Sequence, residues 1–271
     1  MPSPPLNNMV LQGVDAVIHI AGPVYHPYTT SEEIYCAAVG GTQALLDALN
    51  HSTVKRFVMT TSIAAFFKPD LSNIMDETVY EQYVSACPVM DDIDPKAHTP
   101  SYTYVACKAI SDKQIWKAAE KFFHIDFILP PTLYGWFPEH YPTPKHVPEL
   151  NGNKFLDVAK AHVRALTAPV LPKGEKKRLI IALGTMTWVE AIEFLKSPEV
   201  VAKFKERGHN ILARLPETSA VIPQSQYSLD TSLTEHVLDM RKADYISWQD
   251  TLLEVIPNLM DWEKAHSEAL L

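Results

Sequence analysis

Tyr104 and Lys108 stand four residues apart within Tyr102 to Phe123, a segment whose apolar spacing predicts a helix capped by Ser101. Residues four apart share a helical face, so the ammonium can sit beside the phenol. A tyrosine placed this way can exchange a proton with an oxygen whose charge changes during a reaction. At its unperturbed pKa near 10 it is a sluggish donor at neutral pH, and a neighbouring Lys⁺ is expected to lower that value. The same spacing recurs at Tyr141 and Lys145, but Pro142 and Pro144 deny that pair a helix. Spacing alone is a weak signal, because Tyr104 can be a helix-face aromatic and Lys108 a solvated charge. Context strengthens it. A strand leads into Thr60-Thr61-Ser62, about forty residues intervene, the Tyr-x-x-x-Lys helix follows, and a further strand ends at Pro130-Pro131-Thr132. Ser62 lies just past the carboxyl end of its strand, where open α/β sheets bind ligands, although a serine there can also be an ordinary turn cap.

The elements that must position these groups alternate. Val14 to Ile20 is a β-branched run closed by Ala21-Gly22-Pro23. Thr30 and Glu33 make a capping-box pair ahead of a helix reaching Asn50, in which Gly40 and Gly41 are expected to be compensated by close packing on a sheet. Val54 to Thr61 and Ile125 to Pro130 read as strands. Crossovers of this length imply parallel pairing with helices on the faces, a doubly wound parallel α/β sheet. Residues 136–150 hold four prolines and form a stiff segment able to line a site. Beyond it come a helix (Phe155 to Thr167), a strand (Arg178 to Leu183) and helical stretches near Thr187 to Arg207 and Ser247 to Ile256. The expected division is a dinucleotide-binding domain over residues 1–135 and a mainly substrate-binding domain over 136–271, with some segments returning to the sheet.

Composition narrows the function classes. Of 271 residues, 46% are hydrophobic and 21% charged, the ordinary globular range. The net charge of −8 and scattered basic residues, apart from the run Lys173 to Arg178, argue against a nucleic-acid partner. Cys36, Cys87 and Cys107 have no CxxC spacing, which offers neither a metal site nor a redox pair; they are expected to be small buried hydrophobes in a reduced, cytoplasmic setting. No apolar window reaches membrane-spanning length. No G-x-S-x-G, H-E-x-x-H or Walker loop occurs. His19, within the first strand, reads as a packed residue; Tyr25, His26 and Trp136 are candidates to face a substrate.

The ordered motifs resemble the extended short-chain dehydrogenase/reductase family, in particular its dihydroflavonol reductase-like and aldehyde or carbonyl reductase branch. The matching stretches run nearly end to end: Gly13 to Pro23 (GVDAVIHIAGP), Arg56 to Ala65 (RFVMTTSIAA), Tyr104 to Lys108 (YVACK), Leu129 to Gly135 (LPPTLYG), Asp157 to His162 (DVAKAH) and Trp248 to Leu253 (WQDTLL). The resemblance implies an NAD(P)H-dependent reductase of a small-molecule ketone or aldehyde, with NADP(H) favoured over NAD(H). It makes Ser62 the hydroxyl on the substrate oxygen, Tyr104 the acid/base and Lys108 the group holding the nicotinamide ribose. It places Ala21, Gly22, Pro23 and Thr60 near the cofactor, and Pro131, Thr132 and Leu133 against the carboxamide. Departures are Leu129, where the family often has Asn, Cys107, where it commonly has Ser, and a shortened lead-in to Asp157.

A dinucleotide-binding fold should open with a glycine-rich turn, and none of the nine glycines has that spacing. Relative to the family, the chain is expected to begin roughly two βα units late, on the order of 60 residues. Val14 to Ile20 would then be an exposed apolar sheet edge prone to self-association. Two alternatives stay open: a sugar-nucleotide epimerase or hydroxysteroid dehydrogenase on the same fold, or a cofactor-binding-defective chain acting as an interaction protein.

Overall fold

Four short strands, β1 (Ala16–His19), β2 (Arg56–Thr60), β3 (His124–Leu129) and β4 (Arg178–Ile180), lie side by side in that order, and every pairing is parallel. The register sets Val17 beside Phe57, Val58 beside Asp126 and Ile128 beside Leu179. These features come from a computed structural model, which describes residues 11–23, 29–66, 93–122, 124–130, 155–170, 177–183, 186–218 and 229–265. Parallel neighbours require crossovers, and these are helical: Ser31–Tyr35 (α1), Gly41–Asn50 (α2), Pro100–Phe122 (α3) and Phe155–Ala165 (α4). Two compact units emerge. The sheet unit takes the chain up to Pro131 together with Ala161–Ile181 and Thr231–Asp239, and the second unit takes Thr132–Lys160, Ala182–Asp230 and Met240–Leu271.

Successive strand residues point to opposite faces, and this alternation shows that the sheet is covered on both. On one face His19 stacks on Phe57, Trp116 of α3 packs on Phe127 with ring centroids 4.8 Å apart, and Arg178 reaches Asp112 of α3 at 2.6 Å. On the other, Arg56 donates to the carbonyls of Ala165 and Ala168 at the end of α4, and Lys177 pairs with the buried Asp126 at 2.9 Å. The last two residues of the basic run thus enter the core, one to each face, each with a carboxylate. Buried charges persist only when paired in this way. Both clusters lie toward the amino ends of the strands, leaving the carboxyl ends for polar chemistry. β1 is one of the two edge strands among the described residues, with Ile18 36% and Ile20 66% exposed.

The Thr30–Glu33 capping box forms as the sequence predicts. Between α1 and α2 the helix widens into a π turn over Cys36–Gly40, and Cys36 is exposed there, contrary to the expectation of three buried cysteines; Cys107 is buried, and Cys87 lies outside the described residues. The expected close packing at Gly41 is likewise absent, because a Cβ there would meet nothing within 4 Å. Gly41 has helical φ −62° and ψ −43°, so it carries the entropic cost of glycine with no steric compensation. Gly41→Ala is expected to raise unfolding stability by roughly 0.5–1 kcal/mol, read as a higher urea midpoint at constant slope. A lower midpoint would show that the π turn needs the glycine.

Helix α3 begins earlier than predicted. Its cap is Thr99, whose hydroxyl accepts from the Tyr102 N–H at 3.3 Å, and Pro100 takes the first turn, where a missing N–H costs nothing. Ser101 is therefore inside the helix. The stretch predicted near Thr187 to Arg207 divides into α5 (Trp188–Lys196) and α6 (Pro198–Glu206), because Ser197 is extended and Pro198 starts a new helix. A short helix, α7 (Ser232–Leu238), is not visible in the sequence pattern; its Thr234 hydroxyl donates to the Ile180 carbonyl past β4. The last helix, α8 (Trp248–Ala265), runs through Pro257, where the sequence predicts a stop. Leu252, Leu253, Ile256 and Met260, on both sides of the proline, pack on the Leu195, Val200, Phe204 and Ile211 cluster of the second unit, offsetting the lost backbone bond. Among the described residues no helix is long and apolar enough to cross a membrane.

Candidate active site

The carboxyl ends of β1 and β2 and the first turns of α3 meet in the sheet unit. After β2 the chain turns sharply: the Thr61 N–H donates to Ile128 O at 2.9 Å and the Ile63 N–H to Pro130 O at 3.2 Å, tying the turn to β3. A short 3₁₀ turn over Ile63–Phe66 follows, and Ser62 Oγ accepts from the Ala64 N–H at 3.1 Å. Ser62 is thus the turn cap that one reading of the sequence supposes. It is also more than that, because its hydroxyl stands beside the Tyr104 phenol and acts to lower its pKa.

Tyr104 and Lys108 occupy one face of α3, with Asp112 a turn further along. Lys108 Nζ lies 5.3 Å from the centre of the Tyr104 ring, over its face rather than at its oxygen. Burial pushes the Tyr104 phenol above its ordinary value, the Ser62 hydrogen bond offsets part of that rise, and the tyrosine stays protonated at neutral pH. The ammonium carries the larger perturbation: burial pulls Lys108 down to about 8. Among the described residues no carboxylate pairs with it. Cys107, beside it in sequence, is buried and its thiol is pushed up to about 12, so it is inert at this site.

Two further groups border Lys108. A Cβ on Gly22 would stand 3.5 Å from Lys108 Nζ, so the turn after β1 brings backbone against the ammonium. His19, stacked on Phe57, is held below its usual pKa by burial and then by the Lys108 charge, and so is neutral near pH 7. It is the packed residue that the sequence predicts, yet its proximity to Lys108 is not visible in the sequence. Ala21 and Gly22 are exposed and Pro23 half-buried along the same turn. Thr60 ends β2, and its hydroxyl shares a 2.5 Å hydrogen bond with His162 Nε2 of α4, a contact for which spacing gave no signal beyond membership of the Asp157 to His162 motif. Tyr25, His26, Pro131, Thr132, Leu133, Trp136 and the Tyr141–Lys145 pair lie outside the described residues.

The arrangement offers a protonated phenol, a hydroxyl beside it, and an ammonium with no carboxylate partner among the described residues. Such an ammonium suits neutral or anionic oxygens of a bound molecule, including ribose hydroxyls. Among the described residues no group of three or more His, Cys, Asp or Glu could hold a metal ion.

Comparison with known proteins agrees with this architecture. Residues 3–125 match the 3-beta hydroxysteroid dehydrogenase/isomerase family. The chain is 26% identical to ketoreductase sphI of Aspergillus fumigatus, over 93% of its own length and 79% of that protein's. It is 24% identical to aldehyde reductase 2 of Sporidiobolus salmonicolor, over 74% and 66%. The solved yeast methylglyoxal/isovaleraldehyde reductase, complexed with NADPH, has the same fold at a TM-score of 0.62 and 17% identity, covering 95% of this chain and 81% of that one.

Proposed function

We propose that this chain is a member of the extended short-chain dehydrogenase/reductase family and uses NADPH to reduce a ketone or aldehyde to an alcohol, with Tyr104 as the proton donor. The observation that carries the reading is the meeting of Ser62, Tyr104 and Lys108 at the carboxyl ends of β1 and β2, with the Ser62 hydroxyl beside the Tyr104 phenol and Lys108 Nζ over its ring. The names of the relatives, a ketoreductase and an aldehyde reductase, and the NADPH complex of the yeast reductase support it.

When bound, the reduced nicotinamide supplies the hydride. Every other task falls to the chain. Lys108 would hold the nicotinamide ribose, with Ala21, Gly22, Pro23 and Thr60 beside it and Pro131, Thr132 and Leu133 completing the cofactor's surroundings. Ser62 would turn its hydroxyl to the carbonyl oxygen and hold it at Tyr104. As charge develops on that oxygen, the Tyr104 O–H proton transfers to it, leaving tyrosinate next to Lys108 and the Ser62 hydroxyl. The raised phenol is compatible with this direction, because an alkoxide is a stronger base than any phenolate. A group that stays protonated at neutral pH is loaded for reduction at every encounter.

The test is to follow NADPH absorbance and product formation by the purified chain against a panel of ketones and aldehydes. The expected result is carbonyl-dependent oxidation with one alcohol formed per NADPH consumed. Interconversion of a sugar nucleotide without net cofactor loss would replace this reading with an epimerase. No turnover on any substrate together with no NADPH binding would leave the chain as a cofactor-binding-defective interaction protein.

A further inference from the structure

We propose that His162 is a positioning residue for the Ser62–Tyr104 pair, acting across the sheet through the hydroxyl of Thr60. The inference rests on the catalytic reading of that pair. His162 is 5% exposed, and its Nε2 lies 2.5 Å from Thr60 Oγ1. Thr60 is the last residue of β2, two positions before Ser62. The backbone bonds of Thr61 to Ile128 and of Ile63 to Pro130 hold the turn sideways, against β3, within the plane of the sheet. Neither resists tilting of the strand end out of that plane.

The His162 bond does. Thr60 projects to the same face as Arg56, the face covered by α4, whereas Tyr104 sits on α3 against the opposite face. The strand end that carries Ser62 is therefore held between two helices: His162 anchors it from one side and Tyr104 meets it from the other. Without the His162 anchor the turn can drift along the sheet normal, the direction that sets the Ser62–Tyr104 separation. Displacements well under 1 Å in such a pair are costly, because proton transfer depends steeply on alignment. The side chain best placed to supply this restraint is one that either tautomer allows to bond a hydroxyl, since Thr60 can donate or accept as the imidazole requires.

Two readouts test this, one of them independent of turnover. Ring-labelled tyrosine NMR follows the Tyr104 phenol titration, identified by its absence in Tyr104→Phe. Because the Ser62 bond lowers that midpoint, Thr60→Val and His162→Leu are each expected to shift it upward, as Ser62→Ala does, while His162→Gln, which keeps a bonding group, restores most of the wild-type value. In kinetics, Thr60→Val and His162→Leu should each lower kcat about tenfold, His162→Leu with the KM for NADPH within about twofold, and the double variant should be no worse than either alone. Additive losses, an unmoved titration, or a raised NADPH KM at unchanged kcat in His162→Leu would overturn the proposal. Thr60→Val preserves shape and answers the question if His162→Leu does not fold. A wild type with no turnover would sink the reductase reading, and the titration would still decide this one.

Discussion

Tyr104→Phe is expected to lower kcat by roughly 10² to 10⁴-fold, about 3 to 5 kcal/mol of transition-state stabilisation, while NADPH binds nearly as before. The substitution removes one oxygen. The ring remains, and with it the aromatic face over which Lys108 Nζ sits at 5.3 Å. What disappears is the O–H beside Ser62, the proton that the proposed reaction gives to the developing alkoxide. NADPH affinity, measured by fluorescence titration beside the kinetics, therefore separates a chemical loss from a structural one. Tyr141→Phe is the control: it has the same sequence spacing to a lysine but prolines where a helix would be, and it should change kcat little. Comparable losses at both tyrosines, or wild-type kcat in Tyr104→Phe, would show that the proton donor has been misassigned.

The sequence discloses the strands of the sheet and the helix that carries this tyrosine because local patterns determine them: β-branched runs, a capping box at Thr30 and Glu33, and a long helix before Ile125 to Pro130. Where prediction and structure part, the reason is local at one helix and nonlocal at another. The cap of α3 moves to Thr99 because Pro100 is better placed in a first helical turn than before one. The passage of α8 through Pro257 depends on apolar partners from α5, α6 and the segment near Ile211, distant in sequence. The site shows the same division. Four-residue spacing announces that Tyr104 and Lys108 share a face, but not that the ammonium lies over the ring, nor that burial raises the phenol. His162 is invisible to spacing because its partner is about a hundred residues away, across a sheet whose order must first be known.

Lys108 makes the site costly to fold, and Lys108→Met should reveal how costly. Burial pulls this lysine from an ordinary 10.5 to about 8, so the native state binds its proton less tightly than the unfolded chain does. Below about 8 both states are protonated and the full cost of a buried ammonium is present. As pH rises from about 8 toward 10.5, the native state releases the proton while the unfolded chain keeps it. This group's contribution to stability therefore rises with pH across that window. At 1.36 kcal/mol per pKa unit the cost at neutral pH is about 3 kcal/mol. Met keeps the length of the stem and discards the charge, so Lys108→Met is expected to unfold at higher urea than wild type at pH 7, by up to about 3 kcal/mol, with the gap closing as pH approaches 10. A gap that is absent at pH 7, or that widens with pH, would mean that the ammonium is solvated. If the gap behaves as expected, the cost identifies what the lysine is for. Selection for stability alone favours an apolar residue on this face of α3, so a cation retained there, beside the Gly22 turn and with no carboxylate among the described residues, is held ready for a partner that arrives with the reaction.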